Sequence, residues 1–133
     1  LLTAQQLALF HTMSHRDRVH SAATAALLAR QQGVTSPLLT AALLHDCGKG
    51  KQAILQRVLY VVLAATSPAL VARLAKRGGG TRGALYRSLH HPALGATLAA
   101  RAGCSEHVCR LIAAHHQPKD GESDALRQAD EVA

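Results

Sequence analysis

Aromatic residues are nearly absent: two Tyr, one Phe and no Trp in 133 residues. An interior of this composition must be filled by Leu, Ala and Val, which favours close helix packing. The three cysteines, Cys47, Cys104 and Cys109, are odd in number and lack Cys-x-x-Cys spacing, so neither a disulfide framework nor a cysteine-based structural zinc site is indicated. Acidic residues are also scarce, 8 against 15 basic ones, for a formal charge of +7. Only four of the basic residues are Lys. The excess is therefore arginine, which suits bidentate contact with phosphate, although charge alone identifies no ligand. No run is apolar enough to span a bilayer, since the longest is Val58 to Ala65, and no charged leader precedes an apolar segment at Leu1. The chain accordingly reads as cytoplasmic, with no membrane partner. Long alternating Val and Ile strands are missing too.

Helix signals are abundant. Thr3 with Gln6, and Ser14 with Asp17, have the spacing of reciprocal N-terminal caps and predict helices over Ala4 to Thr12 and His15 to Gln32, the second ending at Gly33. Ser36-Pro37 starts a helix that runs to the His45-Asp46 pair, with Gly48 releasing the chain. Further helices are expected over Lys51 to Ala65, Ser67-Pro68 to Lys76, Thr81 to Ser88, Pro92 to Ala102, Ser105 to Ala114 and Ala125 to Ala133. Gly78-Gly79-Gly80 lacks a following Gly-Lys-Ser/Thr and a preceding strand, so it reads as a turn, not a phosphate loop. Gln117 to Ser123 reads as a second mobile connection. The length fits one domain over residues 1–133, all-α and compact. The chain stops three residues after Asp130, so the last helix is expected to be clipped from a longer protein or completed differently.

The chemistry lies in a dispersed series: His20, His45-Asp46, His91, His115-His116 and Asp130. Imidazole nitrogen and carboxylate oxygen suit divalent zinc, iron, manganese, nickel or cobalt, and an adjacent His-Asp pair sets two different donors at one helix end. By itself the spacing is suggestive, and His20 taken alone reads as an ordinary structural or surface histidine sooner than as a ligand.

His45-Asp46-Cys47-Gly48-Lys49, His90-His91-Pro92, His115-His116 and Asp130 within Gln128-Ala129-Asp130-Glu131 together resemble the HD-domain metal-dependent phosphohydrolase superfamily. The resemblance spans His20 to Asp130 and implies an HD-like helical bundle. It implies that His20, His45, Asp46 and Asp130 form the minimal metal set, with Asp46 bridging if two ions bind. His91, His115 and His116 resemble the additional histidines of two-metal members, so one or two divalent ions are implied, two in preference to one. Lys49 resembles the family lysine that faces the phosphate, where its charge would stabilise a phosphoryl transition state. Asp46 and Lys49 are thus the implied catalytic residues. Water, its pKa lowered by the metal, would attack phosphorus in a small phosphorylated substrate, a phosphomonoester or phosphodiester of a metabolite or nucleotide.

Some features depart from that pattern. His115-His116-Gln117-Pro118-Lys119-Asp120-Gly121 partly resembles the corresponding region of cyclic-dinucleotide phosphodiesterases, but Gln117 replaces their glutamate and a Gly-Tyr-Pro element is missing. Cyclic dinucleotides are therefore not the expected substrate. Cys47 is expected in the core. The basic residues Arg73, Lys76, Arg77, Arg82 and Arg87 supply the alternative reading, a noncatalytic metal-containing signalling module that recruits an anionic ligand or partner. They lack stacking aromatics, so a nucleic-acid partner is not expected. The apolar stretch around Tyr60 reads as a central core helix, broad enough to leave room for burial against a second copy in a homodimer.

Overall fold

The computed structural model describes residues 1–133, and all of its regular structure is helical. Eight α-helices follow in order: α1 Ala4–Thr12, α2 His15–Leu28, α3 Ser36–Leu44, α4 Ile54–Thr66, α5 Pro68–Leu74, α6 Gly80–Arg101, α7 Glu106–Ala114 and α8 Gly121–Val132. A 3₁₀ turn, Cys47–Lys49, follows α3.

The caps expected from sequence form except the reciprocal half at α2, where the Asp17 carboxylate accepts from Ser14 Oγ and Arg57 instead of the Ser14 amide. Thr3 and Gln6 cap α1 reciprocally, Ser14 Oγ accepts from the Asp17 amide at the start of α2, and Ser105 does the same for Val108 at α7. Thr35, one residue before the expected Ser36, caps α3 by accepting from Leu38.

Five helices differ in their bounds from expectation, the smallest difference being at α5, which ends at Leu74, two residues before Lys76. α2 stops at Leu28, not Gln32, because Arg30 and Gln31 donate to carbonyls three residues back and tighten the exit before Gly33, whose φ is +76°. α4 begins at Ile54, not Lys51, where the Gln56 side chain accepts the Ala53 amide. α8 begins at Gly121, four residues before Ala125, because Asp120 accepts from the Ser123 amide. The two helices expected on either side of Pro92 are one helix, α6. Its buried residues Leu85, Ser88, His91, Gly95 and Ala99 keep a helical stripe across the proline, and packing of that stripe outweighs the local preference to break.

α3 sits between α2, α7 and α8, and α6 lies along α7 and the 3₁₀ turn. Leu9, Met13, Leu28, Leu38, Leu44, Leu111, Ile112 and Leu126 interlock in the core with Ala41, Ala42 and Ala99. Cys47 is buried in the same cluster, as expected. Small side chains let α3 and α6 approach their neighbours closely. Gly48 is the extreme case: a Cβ there would lie 2.2 Å from the His91 carbonyl oxygen and 2.6 Å from the Gly95 amide nitrogen. The turn after Asp46 is thereby laid directly on the backbone of α6.

The Tyr60 helix is not a core helix. α4 has no buried residue, and Ile54, Leu55, Val58, Val61 and Val62 are exposed on it. It is held at the edge by α5 and α6 and by a buried ion pair, in which Arg57 Nη1 donates to Asp17 Oδ1 on α2 at 2.9 Å and Nη2 donates to Ser14 Oγ at 3.3 Å. No helix is long and apolar enough to cross a membrane.

Candidate metal centre

Six elements bring the dispersed His/Asp series to one place. His20 projects from α2, His45 ends α3, Asp46 opens the 3₁₀ turn, His91 lies midway along α6, His115 ends α7 with His116 beside it, and Asp130 comes from α8. His20 Nε2 is 2.6 Å and His45 Nε2 3.0 Å from Asp130 Oδ1. Asp46 Oδ1 lies between the two halves, 3.6 Å from His45 Nε2 and 3.4 Å from His91 Nε2. His91 Nε2 is 3.2 Å from His115 Nε2 and 3.1 Å from His116 Nε2. His45, Asp46, His91 and His115 are buried, His20 and Asp130 are half-buried, and His116 is at the exposed rim.

Three rings are fixed in the same way. His45 Nδ1 donates to the Ala42 carbonyl at 2.8 Å, His91 Nδ1 to that of Ser88 at 2.8 Å and His115 Nδ1 to that of Ile112 at 2.7 Å. A carbonyl only accepts, so each Nδ1 carries the proton and each neutral ring turns a bare Nε2 lone pair toward the centre. For His45 and His115 the accepting carbonyl is free because it lies in the last turn of its helix. In mid-helix it should be engaged by the amide four residues on. For Ser88 that residue is Pro92, which has no N–H. The proline thus does inside α6 what a helix end does for α3 and α7.

This donor set fits a divalent cation. The His91 and His115 lone pairs face each other at 3.2 Å with no proton between them, an arrangement that repels unless a positive charge lies among them. His45 likewise faces the Asp130 and Asp46 carboxylates through an Nε2 that is bare in the neutral ring. The three compact groups are His20-His45-Asp46, His45-His115-Asp130 and His91-His115-His116, within each of which the ligand atoms lie no more than 4.8 Å apart. The C-termini of α3 and α7, the negative ends of their dipoles, point at the same place.

The titration behaviour follows from burial and charge. Burial, with Lys49 second, lowers His91 to about 4, and burial, with His45 second, lowers His115 to about 3. Burial also lowers His116. For His45, burial works downward but is outweighed by Asp46 and Asp130, so its pKa is raised. Burial works upward on Asp46 and Asp130 and is outweighed in both. His45, Lys49 and His91 hold Asp46 well below the carboxylate range, and the hydrogen bond from His20, with that from His45 when its ring is protonated and Nε2 can donate, does so for Asp130.

Lys49 Nζ donates to Asp46 Oδ2 at 2.7 Å, which turns that carboxylate's other oxygen inward. Gln52, which sequence reasoning passed over, supports this segment. Its Nε2 donates to the Lys49 carbonyl and its Oε1 accepts from Ser88 Oγ. Arg16 and Arg57 were also passed over, and Asp17 was read only as a cap, because the Arg57–Asp17 pair joins positions 40 apart in the chain. Within the basic run, Arg82 donates to the Leu74 carbonyl, Arg87 to those of Lys49 and Gly78, and Arg77 to the Tyr86 hydroxyl. Much of that run therefore braces the glycine segment. His90 is exposed and stacks near Tyr86, away from the centre.

An all-helical domain with a convergent His/Asp cluster suited to a divalent metal is the class that this geometry defines. The family model described as HD domain matches residues 18–132, and the chain belongs to the HD domain family. No curated protein and no solved structure matches it.

Proposed function

We propose that the protein hydrolyses phosphate esters of small molecules at a centre of two divalent ions. The observation that carries this reading is the convergence of bare Nε2 atoms and buried carboxylate oxygens on one point, beside a lysine and an open cavity. HD domains are in general metal-dependent hydrolases, which agrees with it. His20, His45, Asp46 and Asp130 would hold one ion, and His91, His115 and His116 the other with Asp46 shared. When bound, the metals supply Lewis acidity, lowering the pKa of the attacking water and neutralising phosphate charge.

The chain's own residues do the rest. Asp46, anchored by Lys49 through one oxygen, presents the other between the two halves and orients the water. The remaining ammonium protons of Lys49 face the cavity, where they can meet the phosphate oxygens as negative charge builds. The histidines must be neutral to act; the burial that lowers His91 and His115 keeps those two so, whereas His45, raised by Asp46 and Asp130, must give up its proton as an ion binds.

Metal analysis with anomalous scattering tests the ligand set. No metal contact at both His45 and Asp46 in a fully loaded, folded sample would reject it. A panel of phosphomonoesters, nucleotides and cyclic dinucleotides with several divalent ions tests the reaction, and preferential turnover of cyclic dinucleotides would overturn the discount placed on Gln117. The noncatalytic alternative is separated by comparing Asp46→Asn with removal of charge at Arg73 and Lys76. Loss of hydrolysis in the first variant alone supports catalysis, and loss of partner binding in the second alone supports recruitment.

A further inference from the structure

A cavity of about 600 Å³ opens beside the centre, within the size range of small-molecule sites. Lys49, His91 and His116 form one end of it. The opposite wall is α4, with Leu89 of α6, and Arg16 stands at the same cavity. Val58, Val61 and Val62 in that wall are 52%, 64% and 51% exposed, so α4 offers apolar surface continuous with the polar centre.

The polar groups of the wall are largely spent. Arg57 is tied to Asp17 and Ser14, Ser88 donates to Gln52, and the Gln52 amide donates to the carbonyls of Lys49 and Ala84. Among the wall's residues the Tyr60 hydroxyl has no protein partner, but one hydroxyl cannot serve the several hydroxyls of a sugar, and burying the others unpaired would cost binding. An apolar group loses nothing by lying on valines and leucine. At the other end, Lys49 beside His91 and His116 complements an anion, and the exposed Arg16 adds another cation to the cavity lining.

We propose, resting on the phosphoester reading above, that the substrate is a small alkyl or aryl phosphate ester whose apolar group lies along α4 while its phosphate meets Lys49 and the His/Asp centre. The valines then set specificity chiefly through contact area.

The test uses the metal-loaded protein and a series of alkylphosphonates from methyl to octyl, all below their micelle concentrations, with binding read by calorimetry. Affinity is expected to rise roughly twofold per methylene, less than a fully buried methylene gives because the groove is open. Val58→Asn with Val61→Asn changes two exposed positions. This variant should lower octylphosphonate affinity at least tenfold and flatten the series, with methylphosphonate affinity shifted less than twofold and metal content retained. A flat series in the wild-type protein that still binds methylphosphonate and cleaves p-nitrophenyl phosphate would overturn the substrate class and leave the hydrolase reading standing. Failure to bind any phosphonate or cleave p-nitrophenyl phosphate would remove both. Two further outcomes would also overturn the proposal. One is binding confined to phosphatidate vesicles; the other is sedimentation showing a dimer that the double variant splits, with no dependence on chain length.

Discussion

Replacing Pro92 with alanine should push fold stability and metal affinity in opposite directions. Alanine supplies the amide that α6 lacks at this point, and that amide would reach the Ser88 carbonyl four residues back. A proline in a helix interior costs about 3 kcal/mol relative to alanine, so the metal-free variant should gain about 1–3 kcal/mol and melt several degrees higher. The same carbonyl now accepts His91 Nδ1 at 2.8 Å. With the backbone amide competing for it, the ring loses the bond that fixes its tautomer and aims Nε2 at His115 and His116. Loss of such a supporting partner typically weakens metal binding 10–100-fold, or about 1.4–2.7 kcal/mol.

Two measurements decide the point: thermal unfolding in chelator, and metal affinity and stoichiometry by calorimetry with elemental analysis. The melting temperature should rise in the first, and the weaker of two metal-binding steps should drop in the second. Incorporating the α-hydroxy acid analogue of alanine at position 92 removes the N–H without the ring, and it should restore affinity. A Pro92→Ala protein that binds as many metal ions, and as tightly, as the parent would refute the role assigned to the missing amide.

Gly48→Ala should destabilise the fold by roughly 1–3 kcal/mol or more and reduce metal binding, because its Cβ would meet the backbone of His91 and Gly95; denaturant titration and metal analysis read both. Arg57→Ala leaves Asp17 buried and unpaired, so a loss of about 3 kcal/mol is expected, with faster proteolysis at α4 as the local sign. Lys49→Met should lower kcat at least tenfold while metal content persists, and an unchanged kcat in the loaded protein would remove Lys49 from catalysis. Metal-free stability should fall as pH drops below 6.5, because unfolded imidazoles take up protons that folded His91 and His115, at about 4 and 3, refuse. His45, raised, works in the opposite sense, contributing below 6.5 and losing that contribution as pH rises through its folded value, so a flat urea-denaturation profile in chelator between pH 4.5 and 7.5 would contradict the dominance of the lowered pair.

That the His/Asp series would converge was legible because its residue types are costly to bury singly and their local context is short. His45-Asp46 sits at a helix end, as Ser36-Pro37 and Gly48 indicated, and the structure brings His20, His91, His115, His116 and Asp130 to it. What supports them was not legible. Arg57 finds Asp17 across 40 positions and Ser88 finds Gln52 across 36, pairings that no local pattern encodes. The apolar content of α4 also misled, since composition marks a helix as hydrophobic without saying whether protein or ligand covers it.

Pro92 shows most sharply where local rules and function part. Read locally, it starts a helix, and the chain before it should have ended one. Leu85, Ser88, His91, Gly95 and Ala99 nevertheless share one buried face, a periodicity visible in the sequence that the proline rule overrode. A helix that retains an interior proline forgoes a ladder bond and gains a free carbonyl in the middle of its length. Here that carbonyl lies three residues before a histidine aimed at the centre, matching the geometry that the ends of α3 and α7 provide for His45 and His115. The breach of local preference therefore coincides with the point along α6 where a carbonyl without its backbone amide fixes a histidine of the proposed centre, as expected where a local rule is broken at a functional site.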